Sequence, residues 1–403
     1  MTISRRDFLA SSLAGSVALG TSTLADTSQQ SAASRKEESK HAAKLPIIIC
    51  AGNGYNYLEE AYALLAGGAD TLDAALKVVQ GPENDPNDES VGLGGHPNEE
   101  GMVELDACCM HGPTRTGGSV GGLRNIKNAS LVANAIRLHT GHLMLVGEGA
   151  ERFAVAQGFQ RETLLTEKSR KEWLLWKETH SDWWGPGIAS RDWRNRFHPP
   201  GHAEEWEQRI RRMQETAADI GIPPELRMEA IRSVIFPPTG TIHCSTLNEK
   251  GEMSGCTTTA GLAWKIPGRV GDSAIIGAGC FTDQDVGSAG ATGSGEENIK
   301  VAGAHAIIEN MRHGMSPFEA GMDALNRLVR NYNSDKERLQ FIDMTYYILR
   351  KDGAYAAVSL WEGYELGKPH QIAVHDGTKR LEKTVNLFPG ASQDWPPVRK
   401  VAS

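Results

Sequence analysis

Two hairpin signals constrain this chain more than any other feature of its sequence. Gly240 to Asn248 and Glu252 to Ala260 are strand-like runs around Glu249-Lys250-Gly251, and Phe341 to Arg350 and Ala354 to Trp361 alternate around Lys351-Asp352-Gly353. Alternation of period two on both sides of a glycine-containing turn specifies paired antiparallel strands. Between the hairpins the pattern turns helical, over Glu297 to Arg312 and again from Ser316-Pro317-Phe318-Glu319, a capping box with Pro at the first helical position, to Tyr332. Upstream, Leu45 to Ala51 is a continuous apolar run suited to a strand buried on both faces. Tyr57 to Gly68 reads as a helix. A second helix carries the stripe Leu72, Leu76 and Val79, with Thr71 as its cap and Gly81-Pro82 as its stop. Met102 to Met110 reads as a strand, followed by helices around Leu131, Ala135 and Leu138 and from Glu148 to Gln157. The order strands, helices, strands, helices, strands predicts an α+β layered domain on antiparallel sheet, not a βαβ repeat.

Residues 168–238 depart from this pattern. They hold six of the nine Trp and many charges, and lack apolar β-runs, which predicts an insertion or surface subdomain. Lys+Arg is 42 against 50 Asp+Glu, a net charge of −8, which argues against a dedicated nucleic-acid binder. With no apolar run long enough to span a bilayer, no membrane partner is expected of the mature chain. The N-terminus, Ser4-Arg5-Arg6-Asp7-Phe8-Leu9 followed by the small apolar run to Leu19 and by Thr23-Leu24-Ala25, reads as a twin-arginine export signal over 1–25. That predicts a periplasmic protein. Residues 26–44, rich in Ser, Gln, Lys and Glu, are expected to be a disordered linker. The six cysteines form no CxxC pair or Cys/His ligand spacing, so free thiols are expected and zinc is not. His198 to His202 is too loose for a metal site, Asp283 and Asp285 read as a solvated turn, and the glycines from Gly287 to Gly295 lack the Gly-Lys-Ser/Thr of a phosphate loop. No metal and no cofactor is expected.

The densest polar constellation runs from Thr241 to Gly295. A threonine hydroxyl is a poor nucleophile without an adjacent base. If the chain were cut before Thr241, the residue's own α-amine, with a pKa of about 8, would stand beside its hydroxyl and accept its proton. Taken alone, Thr241 reads as an ordinary strand residue in preference to a nucleophile.

Its context points further. Thr241-Ile242 is followed by Thr257-Thr258-Thr259, Gly268-Arg269-Val270-Gly271-Asp272-Ser273, Gly277-Ala278-Gly279 and Ala291-Thr292-Gly293. Upstream stand Ser90-Val91-Gly92-Leu93-Gly94-Gly95, Leu105-Asp106-Ala107, Leu123-Arg124-Asn125-Ile126-Lys127-Asn128-Ala129 and Leu145-Val146-Gly147-Glu148. This ordered string resembles the glycosylasparaginase (aspartylglucosaminidase) family of N-terminal-nucleophile hydrolases, over roughly 45–167 and 240–360. The resemblance implies a four-layer αββα sandwich with antiparallel sheets. It also implies a precursor that cuts itself between Gly240 and Thr241 into an α-chain, about 26–240 with 45–240 as its part of the hydrolase domain, and a β-chain, 241–403. By the same resemblance Thr241 is the nucleophile and Thr259 lies beside it. Thr292 and Gly293 form the oxyanion hole, Arg269 and Asp272 hold the α-carboxylate and α-ammonium of a free aspartyl head, and Ser90 lines the site. Family members assemble as dimers of αβ units, which is therefore the expected assembly.

Three departures bear on the leaving group. The family's substrate-holding Trp is replaced in the region of Gly52, Asn53, Tyr55 and Tyr57; Gly240 stands where Asp is usual; and His243 stands where Gly is usual. A Gly-Thr junction is more like that of plant-type asparaginases and isoaspartyl peptidases. The leading expectation is hydrolysis of N4-(β-N-acetylglucosaminyl)-L-asparagine to aspartate and a glycosylamine. Asparagine or isoaspartyl-peptide hydrolysis is the second, and an uncut aspartyl-binding non-enzyme the third.

Overall fold

The computed structural model describes residues 44–180, 206–235, 237, 240–365 and 367–391. The leader, most of the linker and the middle of the 168–238 segment lie outside the described residues. Among the described residues no helix is long and apolar enough to cross a membrane.

The sheets are built first. Strands β1 (Ile47–Ala51), β2 (Leu105–His111), β3 (Thr116–Leu123), β4 (Met144–Val146), β5 (Ile242–Leu247) and β6 (Met253–Thr259) share an eight-stranded sheet with β12 (Gln371–His375) and β13 (Lys379–Lys383). Its order is β13-β12-β1-β5-β6-β2-β3-β4. The second sheet joins β7 (Cys280–Asp283), β8 (Gly287–Gly293), β9 (Met344–Arg350), β10 (Tyr355–Glu365) and β11 (Lys368–Pro369) in the order β11-β10-β9-β8-β7, with β14 (Val385–Ala391) pairing β10. Both predicted hairpins form, as β5–β6 and β9–β10, and the sheets are antiparallel except for the edge pairs β3–β4 and β10–β14.

The sheets pack face to face, β5 and β6 against β8, and helices cover the outer faces. Over the first sheet lie α1 (Leu58–Ala66), α2 (Thr71–Asn84), α3 (Ala129–His139) and α4 (Gly147–Ala156). Over the second lie α9 (Gly303–Arg312) and α10 (Pro317–Asn331). The fold is thus α+β, in four layers of helix, sheet, sheet and helix. Each outer layer has its own apolar core, one around Ile48, Leu72, Val79 and Ile242, the other around Ile307, Leu325, Leu328 and Ile348.

Local chemistry explains where the elements begin and end. The capping box at Ser316 is complete: the Glu319 N–H donates to Ser316 Oγ at 3.2 Å and the Ser316 N–H to Glu319 Oε2 at 3.0 Å. Ser316→Ala therefore lowers stability by about 1 kcal/mol, read as a drop in the thermal midpoint. Helix α2 corrects two expectations. Its cap is Asp70, which accepts from the Leu72 N–H at 2.8 Å, and it runs through Pro82 to Asn84. Pro removes a single backbone donor there, in the last turn, and Gly81 lies directly under the Tyr57 ring, where a Cβ would sit 2.1 Å from it. The helix expected over 297–312 is two, α8 (Gly295–Val301) and α9, broken where Ala302 takes the left-handed conformation (φ 47°). All six cysteines are buried and free.

The described part of 168–238 is helical: α5 (Glu167–His180), α6 (Trp206–Asp219) and α7 (Arg227–Ile235) gather around Leu175, Met213 and Ile231.

Candidate active site

Strand parity places the nucleophile. On β5, Ile242 and Cys244 face outward to the apolar core under α2. A period of two therefore turns Thr241, His243 and Ser245 toward the space between the sheets. On β6 the Thr258 hydroxyl points outward, donating to Glu83 on α2 at 2.7 Å. Thr257 and Thr259 point inward. The register Ile242↔Thr258 then sets Thr259 opposite Thr241. Of three successive threonines, the hairpin register thus brings Thr259 to the nucleophile.

In this uncut chain the Thr241 hydroxyl donates to Thr259 Oγ1 at 3.0 Å, and Thr259 Oγ1 donates to the Gly240 carbonyl oxygen at 2.9 Å. The Gly261 N–H, 3.0 Å from Thr259 Oγ1, steadies that hydroxyl. One hydroxyl therefore bridges the candidate nucleophile and the carbonyl it would attack.

Gly240, Thr241, Thr259, Arg269, Asp272 and Gly293 line one small cleft. Asp272 is buried at the start of a short 3-10 turn and accepts from Asn298 Nδ2 at 2.7 Å. The same Nδ2 donates to the Ala278 carbonyl at 2.8 Å, and the Tyr346 hydroxyl donates to Asn298 Oδ1 at 2.9 Å. Burial pushes the Asp272 carboxyl up to about 6, against the opposing pull of the Asn298 hydrogen bond and of Arg269. The turn carrying Asp272 is pinned by Asp106, which accepts from the Gly271 N–H at 2.9 Å and the Gly122 N–H at 2.8 Å.

Arg269 forms a two-point fork with Glu296, Nε to Oε1 at 2.8 Å and Nη2 to Oε2 at 2.7 Å. The same hydrogen bonds hold the Glu296 carboxyl below its ordinary range. A guanidinium fork is suited to this bidentate grip on a carboxylate. Gly293, at the end of β8, has φ 115°, and a Cβ there would meet the Asp343 carbonyl oxygen at 2.3 Å. Thr292 stands apart: its hydroxyl lies 3.3 Å from the Tyr347 hydroxyl and is not among the groups lining the cleft. Ser90 lies on the far side of Gly240. A Cβ on Gly240 would stand 1.7 Å from Ser90 Oγ, so the junction passes hard against this serine.

His243 is a structural residue between the sheets. Its Nδ1 pairs with Thr257 Oγ1 and its Nε2 with Ser245 Oγ, both at 2.7 Å. Gly290 on β8 makes room for its ring, which a Cβ there would approach to 2.0 Å.

Sequence reasoning missed Asn298, Tyr346, Tyr347 and Glu296, which position the predicted residues. Asn298 lies in a stretch read only as helix, and nothing in its spacing marks it. Among the described residues, Glu89, His96 and Glu172 put ligand-type atoms within 4.8 Å of one another. Most of these atoms already bind protein: His96 Nε2 lies 2.9 Å from Glu172 and 2.9 Å from Ser233 Oγ, and Lys168 sits 3.2 Å from Glu89 Oε2, while Glu89 Oε1 is buried without a hydrogen-bond partner. The network ties α5 and α7 to the loop that leads into Ser90.

A family model described as Asparaginase matches residues 51–336. An N(4)-(beta-N-acetylglucosaminyl)-L-asparaginase of Elizabethkingia miricola is 36% identical over 332 residues, 82% of this chain and 82% of its own length. The enzyme of that name in Rattus norvegicus is 35% identical, covering 72% of this chain and 78% of its own. A probable isoaspartyl peptidase/L-asparaginase 3 of Arabidopsis thaliana is 27% identical, covering 72% and 79%.

Proposed function

This chain belongs to the asparaginase family, with the glycosylasparaginases among the N-terminal-nucleophile hydrolases, and on that premise we propose that it is an amidohydrolase that cuts itself before Thr241 and then cleaves the side-chain amide of N4-(β-N-acetylglucosaminyl)-L-asparagine. The observation carrying this reading is the Thr241–Thr259–Gly240 hydrogen-bond chain in the cleft that also holds Arg269, Asp272 and Gly293.

In the first act Thr241 Oγ1 attacks the Gly240 carbonyl carbon. Thr259 takes the Thr241 proton as its own moves toward the carbonyl oxygen, which gains negative charge. The tetrahedral centre collapses by an N→O acyl shift in which the C–N bond breaks and the Thr241 α-amine leaves with a proton, and water then hydrolyses the ester, freeing the Thr241 hydroxyl and the Gly240 carboxylate. In the second act that amine accepts the hydroxyl proton, and Thr241 Oγ1 attacks the amide of a substrate held by Arg269 and Asp272. For the substrate carboxylate to reach Arg269, the Glu296 carboxylate yields part of the guanidinium fork. The Gly293 N–H and a reoriented Thr292 hydroxyl hold the oxyanion, donors typically worth about 2.7–4 kcal/mol each. The amine passes the proton to the leaving nitrogen, and water frees aspartate from the enzyme ester. No step requires a metal or cofactor. The functional unit is an α-chain and a β-chain, assembled as a dimer of αβ units, exported by the twin-arginine signal to the periplasm.

Intact mass of exported material tests leader removal and the cut together. Assay of the same sample on the glycosylated asparagine, L-asparagine and an isoaspartyl dipeptide tests the substrate. Preference for the dipeptide would support the plant-type reading that Gly240 favours. A single uncut, inactive chain would support the non-enzyme.

The acid limb of the pH profile follows from Asp272. Gripping an ammonium requires its carboxylate form, so kcat/KM falls as pH drops through about 6. Bound ammonium stabilises the ionised form, so the corresponding limb in kcat moves to lower pH. The Thr241 amine must be neutral and adds a second limb, to both parameters, near its reference value of about 8.

A further inference from the structure

We propose that the polar cleft walled by Asn53, Asn56, Tyr57, Asp85, Asp88 and Ser90 is the leaving-group subsite, and that its acidic wall selects uncharged leaving groups such as a sugar over those bearing a carboxylate. This rests on the aspartyl-amide reading above.

Location is the first argument. The cleft encloses about 370 Å³ and has Ser90 as one wall. Gly240 lies between Ser90 and Thr241, against both. Once the junction is cut, Gly240 is a chain end, and the space it fills becomes the path from the nucleophile past Ser90 into this cleft. A leaving group attached to the attacked amide nitrogen extends along that path.

Chemistry is the second argument. The lining is hydrogen-bonding groups on rigid supports. Asp88 Oδ1 accepts from the Ser90 N–H at 3.1 Å and also from the Ser90 hydroxyl, and its Oδ2 accepts from Asn53 Nδ2 at 3.2 Å. Asp85 Oδ1 accepts from the Asn87 N–H at 2.9 Å and from Asn87 Nδ2 at 3.1 Å, while its Oδ2 lies 3.4 Å from the Tyr57 hydroxyl. Carboxylate oxygens carry further lone pairs, and the Asn amides both donate and accept, a set that matches vicinal sugar hydroxyls. Asp85, Asp88 and Glu89 all line the cleft, with no Lys or Arg among its described lining residues; burial raises the Asp88 carboxyl and pushes Glu89 up to about 7, so the wall carries its full charge only above that pH. Lys168, which reaches Glu89 at 3.2 Å, is also held by Glu229 at 2.9 Å. An isoaspartyl peptide leaves as an amino acid whose carboxylate is two bonds from the departing nitrogen, and like charges would meet there. A glycosylamine carries no such charge.

The test uses the mature, cut enzyme and compares β-aspartyl-glycine with β-aspartyl-glycinamide, which differ only in that carboxylate. The amide is expected to exceed the acid in kcat/KM by at least about tenfold at low salt. Added salt and Asp85→Asn are each expected to narrow the ratio, and Asn56→Ala to raise KM for the glycosylated asparagine. Equal kcat/KM for acid and amide overturns the proposal without any variant having to fold. So does a ratio that neither salt nor Asp85→Asn moves. L-asparagine separates the two levels: if it is hydrolysed while acid and amide are equal, the subsite alone fails. If no aspartyl amide is turned over, the parent reading fails and takes the subsite with it.

Discussion

Thr241→Ala is expected to leave the chain in one piece and to abolish amide hydrolysis, a loss on the order of 10⁴-fold or more. Both effects have one origin. The hydroxyl that donates to Thr259 at 3.0 Å is the atom that attacks Gly240 in the first act and substrate in the second. Without it the α-amine is never released, so nucleophile and base vanish together, and partial activity has no route. Thr241 is only half-buried at the head of β5, so its removal leaves no large cavity and the fold should persist. Denaturing electrophoresis with N-terminal sequencing reads the cut, and aspartate release reads turnover. Processing that continues in this variant, or turnover within tenfold of the parent, would sink the mechanism. Thr241→Ser keeps the oxygen and should retain cleavage at a reduced rate, because the lost methyl frees the χ1 angle that aims it.

Gly240→Ala is expected to stop self-cleavage while leaving the fold intact, and Ser90→Gly in the same chain to restore it. A Cβ at 240 falls 1.7 Å from Ser90 Oγ and 1.9 Å from Ser90 Cβ, distances no real pair of atoms adopts. The junction must move, and the Gly240 carbonyl then leaves its 2.9 Å contact with Thr259. An attack geometry displaced by about 1 Å costs about 10²-fold. Deleting the Ser90 side chain leaves Ser90 Cα, at 3.4 Å from the new Cβ, as the nearest remaining neighbour, an ordinary contact. The double variant should therefore recover processing that the single one lacks. A Gly240→Ala chain that cleaves at the parent rate would show that the junction does not need this approach to Ser90. The pair also gives a physical reason for Gly at this position: the requirement here is space beside Ser90.

Much of the architecture was legible because apolar periodicity and turn chemistry are local. The hairpins around Gly251 and Gly353 and the capped helix at Ser316 form where spacing predicts. The strands from Lys368 onward were missed. Lys379–Lys383 is polar at nearly every position and forms the edge of its sheet, so it shows little alternation. Strand β8 was hidden for a different reason. Its Gly-Ala sequence has no β-propensity of its own and becomes a strand because β7 and β9 pair it on both sides, and because His243 fills the space opposite Gly290.

The division at the cleft has the same cause. Parity along β5 and β6 put Thr241 and Thr259 on one face, and a period of two can be counted in the sequence. The partners of those groups could not be counted. Asn298 reaches Asp272 from another helix, Glu296 occupies the Arg269 fork, and Ser90 meets Gly240 from a loop far upstream. Which face a side chain takes is set by its own backbone. Which atom it then meets is set by how the two sheets and their helices close on one another, and that is decided only in the folded chain.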